Sequence, residues 1–335
     1  MTTTMRAMIA DTPGPPENLE LREVPVPQPG PGQVRLRVAY AALNPLDTHA
    51  RAARVAYMAP DFPFTPGVEF SGLVDAVGDG VDPAWIGKRV VSERHWGGCA
   101  EFALTTVDNL IEIPEGFDWI LGTVFHTCVY SSWHVLHTAG RVREGDCVLL
   151  HSAAGAIGAM SSQIAKDAGA TVIGLCSPTK FDFARSHGTD HLIDSRAADW
   201  PETVMAVTDG HGADLIIDGI AGPEAPKNFE AAAPFGQVIY MGAVGGYAPP
   251  VDISRELYAK SIAVRGFMVY LGMAVTGGTE LELIHDALRS GRWKAPISEV
   301  VELEATPELH RRFEARELMG RNLIRIGGEI GGSQS

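Results

Sequence analysis

The sequence of 335 residues predicts an α/β protein in two parts, a β-rich region followed by a doubly wound parallel sheet. Residues 1–125 contain short alternating strands separated by Pro/Gly turns, a pattern typical of antiparallel β structure. Residues 126–265 alternate apolar strands with helical segments, which is the rhythm of βαβ units. The length also suits two domains better than one.

The predicted elements follow this division in order. In the β-rich region the strands are expected at 34–41, 72–77 and 89–92. In the second part the strands are expected at 148–151, 171–175, 191–194, 213–220 and 237–244, with a helix through Val204 and Met205. Residues 266–330 should end the parallel sheet and return to the first domain, with a strand at 266–270, a helix at 281–288 and a strand at 322–326. Residues 331–335 read as a flexible tail.

Composition excludes several classes of partner. The net charge of −14 argues against nucleic acid and anionic membranes. No apolar run reaches the ~18 residues of a membrane span, and the N-terminus lacks a secretory apolar segment. The four cysteines are scattered as expected for reduced core thiols of a cytoplasmic protein, and they are Cys99, Cys128, Cys147 and Cys176.

The segment from Cys147 to Gly158 carries the main functional signal. A buried strand ends in a turn of small residues that reads Ala153-x-Gly155-x-x-Gly158, and Ala156 and Ile157 open the following helix. Gly155 would let the backbone approach a pyrophosphate, and Gly158 would let the helix pack closely on the strand. Uncapped N–H groups at the helix N-terminus attract phosphates. The pattern predicts the first βαβ unit of a dinucleotide-binding domain, with an ordinary strand–helix turn as the alternative.

The end of the second strand predicts which dinucleotide binds. NAD-preferring sites place a carboxylate there for the ribose 2′-OH. This chain instead has Ser177 and Lys180, which attract a 2′-phosphate. The expected cofactor is therefore NADPH, although Lys180 alone also reads as a solvated surface lysine.

Segments over nearly the whole chain resemble one family. They include FPFTPGVEFSGLVDAVGDGV, DCVLLHSAAGAIGAMSSQIAKDAGATVIGL, GADLIIDGIAG and GQVIYMGAVGG. The chain resembles a zinc-independent member of the medium-chain dehydrogenase/reductase superfamily, of the quinone oxidoreductase (zeta-crystallin-like) type. The resemblance implies a GroES-like catalytic domain at 1–125 and a Rossmann domain at 126–265.

The resemblance also argues against a metal ion. Asn44 and Val68 stand where zinc-dependent relatives have ligands, and neither residue suits that role. Only Cys99 remains of the four-cysteine structural lobe. A second group, formed by His126, Cys128, His134 and His137, reads better as polar helix residues than as a metal site.

Without a Lewis acid, the expected chemistry is hydride transfer to a quinone or to the double bond of an α,β-unsaturated carbonyl compound. The resemblance puts Asn44 near nicotinamide and substrate, as an orienter that can also donate a hydrogen bond; the alternative is a turn-forming Asn before Pro45. His49 stands where many relatives have an active-site tyrosine. It, Tyr57 or water would supply the proton.

Other site residues come from the resemblance alone. Those expected near the cofactor are Ser131, Ser195, Gly242, Ala243, Phe267, Met268 and Arg321. Arg321 is expected near the adenosine phosphate, and Arg196 is expected to compensate for Ser195, where several relatives have a tyrosine. Asp47 and Arg51 should form a structural pair, and Glu69 should be buried and structural.

Two points about partners complete the prediction. The apolar segment Ser261–Tyr270 reads as a sheet-edge strand, and in the superfamily such edges meet across a two-fold axis, so a homodimer is expected. The small-molecule reductase has two alternatives. They are an NADPH-binding protein that acts through protein contacts with little turnover, and a detached enoyl reductase serving an acyl carrier.

Overall fold

A computed structural model describes residues 4–55 and 58–330, apart from the side chain of Met273. Its strands are β1 (Thr4–Ala10), β2 (Leu19–Pro25), β3 (Gln33–Ala42), β4 (Glu69–Val77), β5 (Arg89–Glu93), β6 (Phe102–Thr106), β7 (Leu110–Glu112), β8 (Cys147–His151), β9 (Thr171–Cys176), β10 (His191–Asp194), β11 (Ala213–Asp218), β12 (Ala232–Tyr240), β13 (Ala263–Gly266), β14 (Ile297–Glu302) and β15 (Arg321–Arg325). Its α-helices are α1 (Pro45–Arg51), α2 (Trp119–Val124), α3 (Ser131–His134), α4 (Ala156–Asp167), α5 (Phe181–Ser186), α6 (Trp200–Val207), α7 (Lys227–Ala231), α8 (Val269–Thr276), α9 (Leu281–Arg289) and α10 (Thr306–Glu314).

The chain forms two compact units. Among the described residues, the first comprises 4–55, 58–124 and 297–330, and the second comprises 125–296. In the first unit, β14, β15, β3, β4, β5 and β7 follow one another in a mainly antiparallel sheet, β6 also pairs with β3, and β1 and β2 form a separate hairpin. Alternate residues of β3 and β4 face the core, where Val34, Leu36, Val38, Phe70 and Val74 are fully buried.

The second unit is built on a parallel sheet of six strands in the order β10-β9-β8-β11-β12-β13. Numbered from β8, this order is 3-2-1-4-5-6, which defines the Rossmann fold. The central strands are mostly apolar because helices cover both faces of such a sheet. Leu149, Ile173, Ile216 and Val238 are each fully buried.

The last strand of this sheet is shorter than the sequence pattern predicts. The expected strand at 266–270 is wrong, since β13 covers Ala263–Gly266 and helix α8 begins at Val269. β13 pairs only with β12, whose last residue is Tyr240. The N–H of Phe267 makes one further bond to the Tyr240 carbonyl (2.9 Å), after which β12 offers nothing to pair with.

Two further expectations concern membranes and disulfides. Within residues 4–55 and 58–330, no helix is both long and apolar enough to cross a bilayer. The four cysteines all lie in the described ranges, and each is a buried free thiol.

Candidate functional site

The nucleotide turn joins β8 to α4. Ser152 adopts a left-handed conformation with φ 52°, and the Gly155 N–H bonds the Ser152 carbonyl (2.7 Å). Gly155 is the N-cap of α4, and no side chain caps this helix. The N–H groups of its first turn therefore remain available to an anionic ligand, as they are in dinucleotide sites.

Close backbone packing explains the residues of this turn. A Cβ at Gly158 would lie 2.3 Å from the Ser152 carbonyl oxygen, so this position has no room for a side chain. Ala153 replaces the usual first glycine, and its methyl group is accommodated by Gly174 of β9. A Cβ at Gly174 would lie only 2.6 Å from that methyl carbon. The turn thus keeps the cradle that a pyrophosphate requires, with Gly174 on the second strand making room for Ala153.

The end of β9 carries the residues expected at a 2′-phosphate. Ser177 and Lys180 flank a 3₁₀ turn, Pro178–Lys180, directly after Cys176. Burial raises the pKa of the Cys176 thiol to about 11, and the nearby charge of Lys180 opposes that rise. This chain therefore has a cation close to the strand end and no carboxylate on β9 itself.

One carboxylate lies on the neighbouring strand. Asp194 ends β10 in register with Cys176, and Arg196 pairs with it at 3.1 Å. Hydrogen bonding from Arg196 holds the pKa of Asp194 below its usual value. The sequence analysis predicts that Arg196 compensates for Ser195, which stands where several relatives have a tyrosine. In the structure the Arg196 guanidinium already neutralises Asp194, and any contact with a 2′-phosphate would have to be made from this pair. Ser195 itself is exposed and donates its N–H to the Cys176 carbonyl (3.0 Å).

A polar network that sequence reasoning missed supports the same edge of the sheet. His151 Nε2 lies 2.7 Å from Asn228 Oδ1, and Asn228 donates to the buried carboxylate of Asp218 (2.8 Å). Asp218 in turn accepts from the N–H groups of Ile220 and Ala221. The network fixes the loop after β11. The sequence signal that could have predicted this network is the pair of polar residues, His151 and Asp218, at the ends of the parallel strands β8 and β11.

The other expected cofactor residues of the second unit occupy three places. Gly242 and Ala243 are exposed just after β12, where a Cβ on Gly242 would lie 2.9 Å from the Gly219 carbonyl oxygen. Phe267 is half-buried and Met268 is 52% exposed, both directly before α8. Ser131 is buried at the start of α3.

The residues that could suggest a second metal site have separate partners. His134 Nδ1 contacts Thr138 Oγ1 (2.9 Å), and His134 Nε2 lies 3.2 Å from Glu280. Cys128 donates to the Ala156 carbonyl (3.5 Å), and the ring of His137 packs on that of Trp133. Across the part of the chain that the structure describes, no group of three or more His, Cys, Asp or Glu side chains could hold a metal ion.

In the first unit, Asn44 is the N-cap residue of helix α1 and lies in a network of buried charges. Its Nδ2 donates to Glu69 Oε2 (3.0 Å) and to the Ala42 carbonyl (3.2 Å), while its Oδ1 accepts from Arg321 Nη1 (3.0 Å). Arg321 also forms an ion pair with Glu69. The Arg321 guanidinium is therefore engaged by Glu69 and Asn44 and is buried, instead of being exposed to meet an adenosine phosphate as the resemblance implied.

The Asp47 side chain holds Asn44 in place through backbone hydrogen bonds. Its carboxylate accepts from the N–H groups of Asn44 (2.8 Å), Gly67 (2.8 Å) and Val68 (3.0 Å). Burial raises the pKa of Asp47 to about 6, although these three bonds oppose the rise. The sequence Asn44-Pro45-Leu46-Asp47 places an acid three residues after a cap residue, which is the signal that could have predicted this contact.

The expected pair between Asp47 and Arg51 is wrong. Arg51 is buried and instead contacts Glu314 of α10 and the Gly14 carbonyl. The spacing i, i+4 does place both residues on one helix face, but the backbone donors around Asp47 take up its carboxylate. The expectation for Glu69 agrees with its 1% exposure. Of the two proton donors considered, His49 is half-buried on α1, and Tyr57 lies outside the described residues.

The chain matches known families over both units. Residues 30–139 match the alcohol dehydrogenase GroES-like domain, and residues 156–283 match the zinc-binding dehydrogenase family. The chain is 29% identical over 322 residues to 2-haloacrylate reductase from Burkholderia sp., covering 92% of this chain and 95% of the relative. It is 28% identical over 305 residues to quinone oxidoreductase from Sus scrofa, covering 89% and 90%. A mycobacterial protein solved in complex with NADPH superposes with a TM-score of 0.85 at 25% identity, covering 96% of this chain and all of that one.

A GroES-like domain combined with a Rossmann domain defines a class of oxidoreductases. The chain belongs to the medium-chain dehydrogenase/reductase superfamily, in its quinone oxidoreductase type. One family description names zinc, but the residues of this chain do not fit that ion. Val68 offers no side-chain ligand, and Asn44 is held by Glu69 and Arg321.

Proposed function

We propose that the protein is an NADPH-dependent reductase that works without a metal ion and acts on a quinone or on the double bond of an α,β-unsaturated carbonyl compound. The observation that carries this proposal is the end of β9, where Ser177 and Lys180 follow the strand and a carboxylate does not. Lys180 would attract the 2′-phosphate that distinguishes NADPH from NADH. The related protein solved with NADPH supports the same choice.

The donor set around Asn44 supports a reaction without zinc. Glu69 and Arg321 neutralise each other, and Asp47 is occupied by three backbone N–H groups. Substrates that accept hydride without a Lewis acid already carry a conjugated oxygen or a quinone ring. The names of the two relatives, 2-haloacrylate reductase and quinone oxidoreductase, cover these two chemistries.

Bound NADPH would supply the hydride, and the protein would hold and orient the reactants. The turn at Gly155 and the N-terminus of α4 would bind the pyrophosphate. Asn44 would orient the nicotinamide and substrate, and His49 or Tyr57 would supply the proton unless water does. Ser131, Gly242, Ala243, Phe267 and Met268 would complete the cofactor contacts, as the family resemblance implies.

Steady-state oxidation of NADPH tests this proposal. Purified protein would be assayed with a panel of quinones and a panel of enones and 2-haloacrylates, each with NADPH and with NADH. We expect turnover with at least one panel and a preference for NADPH that Lys180→Ala removes. Turnover with neither panel, while NADPH binds normally, would instead favour a binding protein with little turnover.

A further inference from the structure

Residues 125–139 of the second unit form one helical run that carries Ser131, and we call this run the Ser131 helix. Its middle is α3, and both flanking turns are π-helical, a geometry that occurs often at functional sites. One face is tied to α4. Ser132 Oγ donates to the Ile157 carbonyl (3.3 Å), and Cys128 donates to the carbonyl of the preceding residue (3.5 Å). The Ser131 helix is therefore anchored to the helix end that follows the nucleotide turn.

Another face of the Ser131 helix contacts α8 and α9. Three side chains spaced four residues apart share this face, because residues four apart lie above one another along a helix. Each meets a partner on α8, on α9 or at the residue that caps α9. The pairs, which we call the histidine seam, are His126 with Tyr270, Tyr130 with His285, and His134 with Glu280.

The polar contacts of the histidine seam are short and buried. Tyr130 Oη lies 2.5 Å from His285 Nε2. Burial raises the pKa of Tyr130 and lowers the pKa of His285, so both groups are neutral at pH 7. Glu280 is 5% exposed, and its Oε1 lies 3.2 Å from His134 Nε2 and accepts from Thr276 Oγ1 (2.9 Å). Since Thr276 ends α8 and Glu280 caps α9, one carboxylate links both helices to the Ser131 helix.

Close packing accompanies these contacts. A Cβ at Gly272 of α8 would lie 3.1 Å from Cβ and Cγ of His134, so the two helices approach as closely as a glycine allows. The outer surface of α8 is open, with Leu271 69% and Val275 77% exposed. The position of α8 therefore depends on its inner contacts with the Ser131 helix. The segment 267–268, which directly precedes α8, moves with it.

We infer that the histidine seam positions the contacts that the second unit makes with the nicotinamide half of the cofactor. It does so by fixing Ser131 and the segment 267–268 relative to the nucleotide turn at Gly155. The inference rests on the proposed function, which places these residues beside the cofactor. The adenosine half is bound by other residues, Ser177 and Lys180. A lost seam contact should therefore weaken binding of the nicotinamide half and spare the adenosine half.

Two ligands separate the halves of the cofactor without any turnover. NADP⁺ would be compared with 2′,5′-ADP, which keeps the adenosine and the 2′-phosphate and lacks the nicotinamide half. Dissociation constants would come from calorimetric titration of the full-length protein. Tyr130→Phe should bind NADP⁺ roughly 2- to 10-fold more weakly than the wild type, the range for one neutral hydrogen bond. Its affinity for 2′,5′-ADP should not change.

Two control variants bracket this result. Lys180→Ala should weaken both ligands and preserve the ratio of their dissociation constants, because it acts on the half that they share. Asp286→Asn alters a 67% exposed side chain of α9 outside the histidine seam and should change neither affinity.

Two further positions test the seam by different means. Glu280→Ala removes the link between α8, α9 and the Ser131 helix, so it should also weaken NADP⁺ selectively. Glu280→Gln keeps an oxygen that can accept from Thr276 and His134, and it should restore most of the affinity. Gly272→Ala breaks no hydrogen bond but pushes α8 away from His134. Because alanine favours a helix over glycine, this variant should lose NADP⁺ affinity without a lower melting temperature.

The outcomes separate the inference from the proposed function. The inference requires a selective loss of NADP⁺ affinity in both Tyr130→Phe and Gly272→Ala, even if Glu280→Ala fails to fold. Wild-type affinity for NADP⁺ in either variant, or equal losses for NADP⁺ and 2′,5′-ADP, would overturn it while the cofactor assignment stands. A wild-type protein that does not bind NADP⁺ would overturn the proposed function together with the inference.

Discussion

Replacing either glycine of the nucleotide turn by alanine should have a different effect: Gly158→Ala should lower stability, and Gly155→Ala should weaken ligand binding. A Cβ at Gly158 would meet three backbone atoms, namely the Ser152 carbonyl oxygen at 2.3 Å, Ala153 Cα at 2.7 Å and the Ser152 carbonyl carbon at 2.9 Å. At Gly155 the closest atom would be the Ser152 carbonyl oxygen at 3.1 Å. Gly155 also has φ −83°, a conformation open to any residue.

These distances give the expected magnitudes. Gly158→Ala must push α4 away from the turn by about an ångström, and overpacking of this kind costs about 1–3 kcal/mol. The better helix propensity of alanine returns about 1 kcal/mol. The three atoms that the added Cβ meets are backbone atoms, which cannot rotate away, so the cost should lie in the upper part of that range. The net loss of about 1–2 kcal/mol then corresponds to a melting temperature lower by about 2–8 °C for a unit of this size. Gly155→Ala should cost less than about 1 kcal/mol, mostly from replacing glycine at an N-cap.

Ligand binding should show the opposite order relative to stability. In Gly155→Ala the added methyl would stand where the backbone approaches the pyrophosphate, so NADPH binding should weaken by roughly tenfold or more although the protein stays folded. The assay combines thermal melts without ligand and calorimetric titration with NADPH. A Gly155→Ala protein that melts lower than Gly158→Ala, or that binds NADPH like the wild type, would refute this account of the turn.

Four further predictions follow from the same structure. Lys180→Ala should weaken NADPH binding by about 1–3 kcal/mol, the scale of a charged hydrogen bond, and leave NADH binding nearly unchanged; equal losses would contradict the 2′-phosphate role. Elemental analysis should find no stoichiometric zinc and chelators should not inhibit, so one zinc per chain lost together with activity would overturn the metal-free mechanism. Light scattering should give a homodimer that Val264→Pro on the exposed strand β13 converts to monomers or insoluble protein; a wild-type mass near 35.8 kDa would exclude the dimer, and an unchanged dimer in the variant would place the interface elsewhere. Since burial raises the pKa of Asp47 from 3.8 to about 6, its stabilising contribution is full below about pH 4 and is lost as the pH rises through 6. The loss of unfolding free energy caused by Asp47→Asn should therefore become smaller between pH 4 and 7 in chemical denaturation. A loss that becomes larger over that range would mean that folding lowers the pKa of Asp47.

Local sequence patterns were sufficient for most of the framework. The strand expected at 191–194 is β10 to the residue, and the strands expected at 34–41 and 148–151 lie within β3 and β8. The glycine spacing located the turn before α4 because strand, turn and helix are contiguous there. Such features depend on side-chain alternation and on backbone freedom within a few residues, which the sequence states directly.

The contacts around Asn44 depend on residues that the chain brings together from far apart. Arg321 is 277 positions from Asn44, and Arg51 meets Glu314 across 263 positions. Sequence spacing suggested Arg51 as the partner of Asp47, but the fold supplies Asp47 with backbone donors from Gly67 and Val68. The end of β13 likewise depends on where β12 ends. The sequence by itself determined the two-part architecture, the nucleotide turn and the absence of a carboxylate on β9. Only the tertiary structure decided which buried charges pair and which groups surround the Asn44 amide, because a buried polar group takes the nearest complementary partner in space, whatever its distance along the chain.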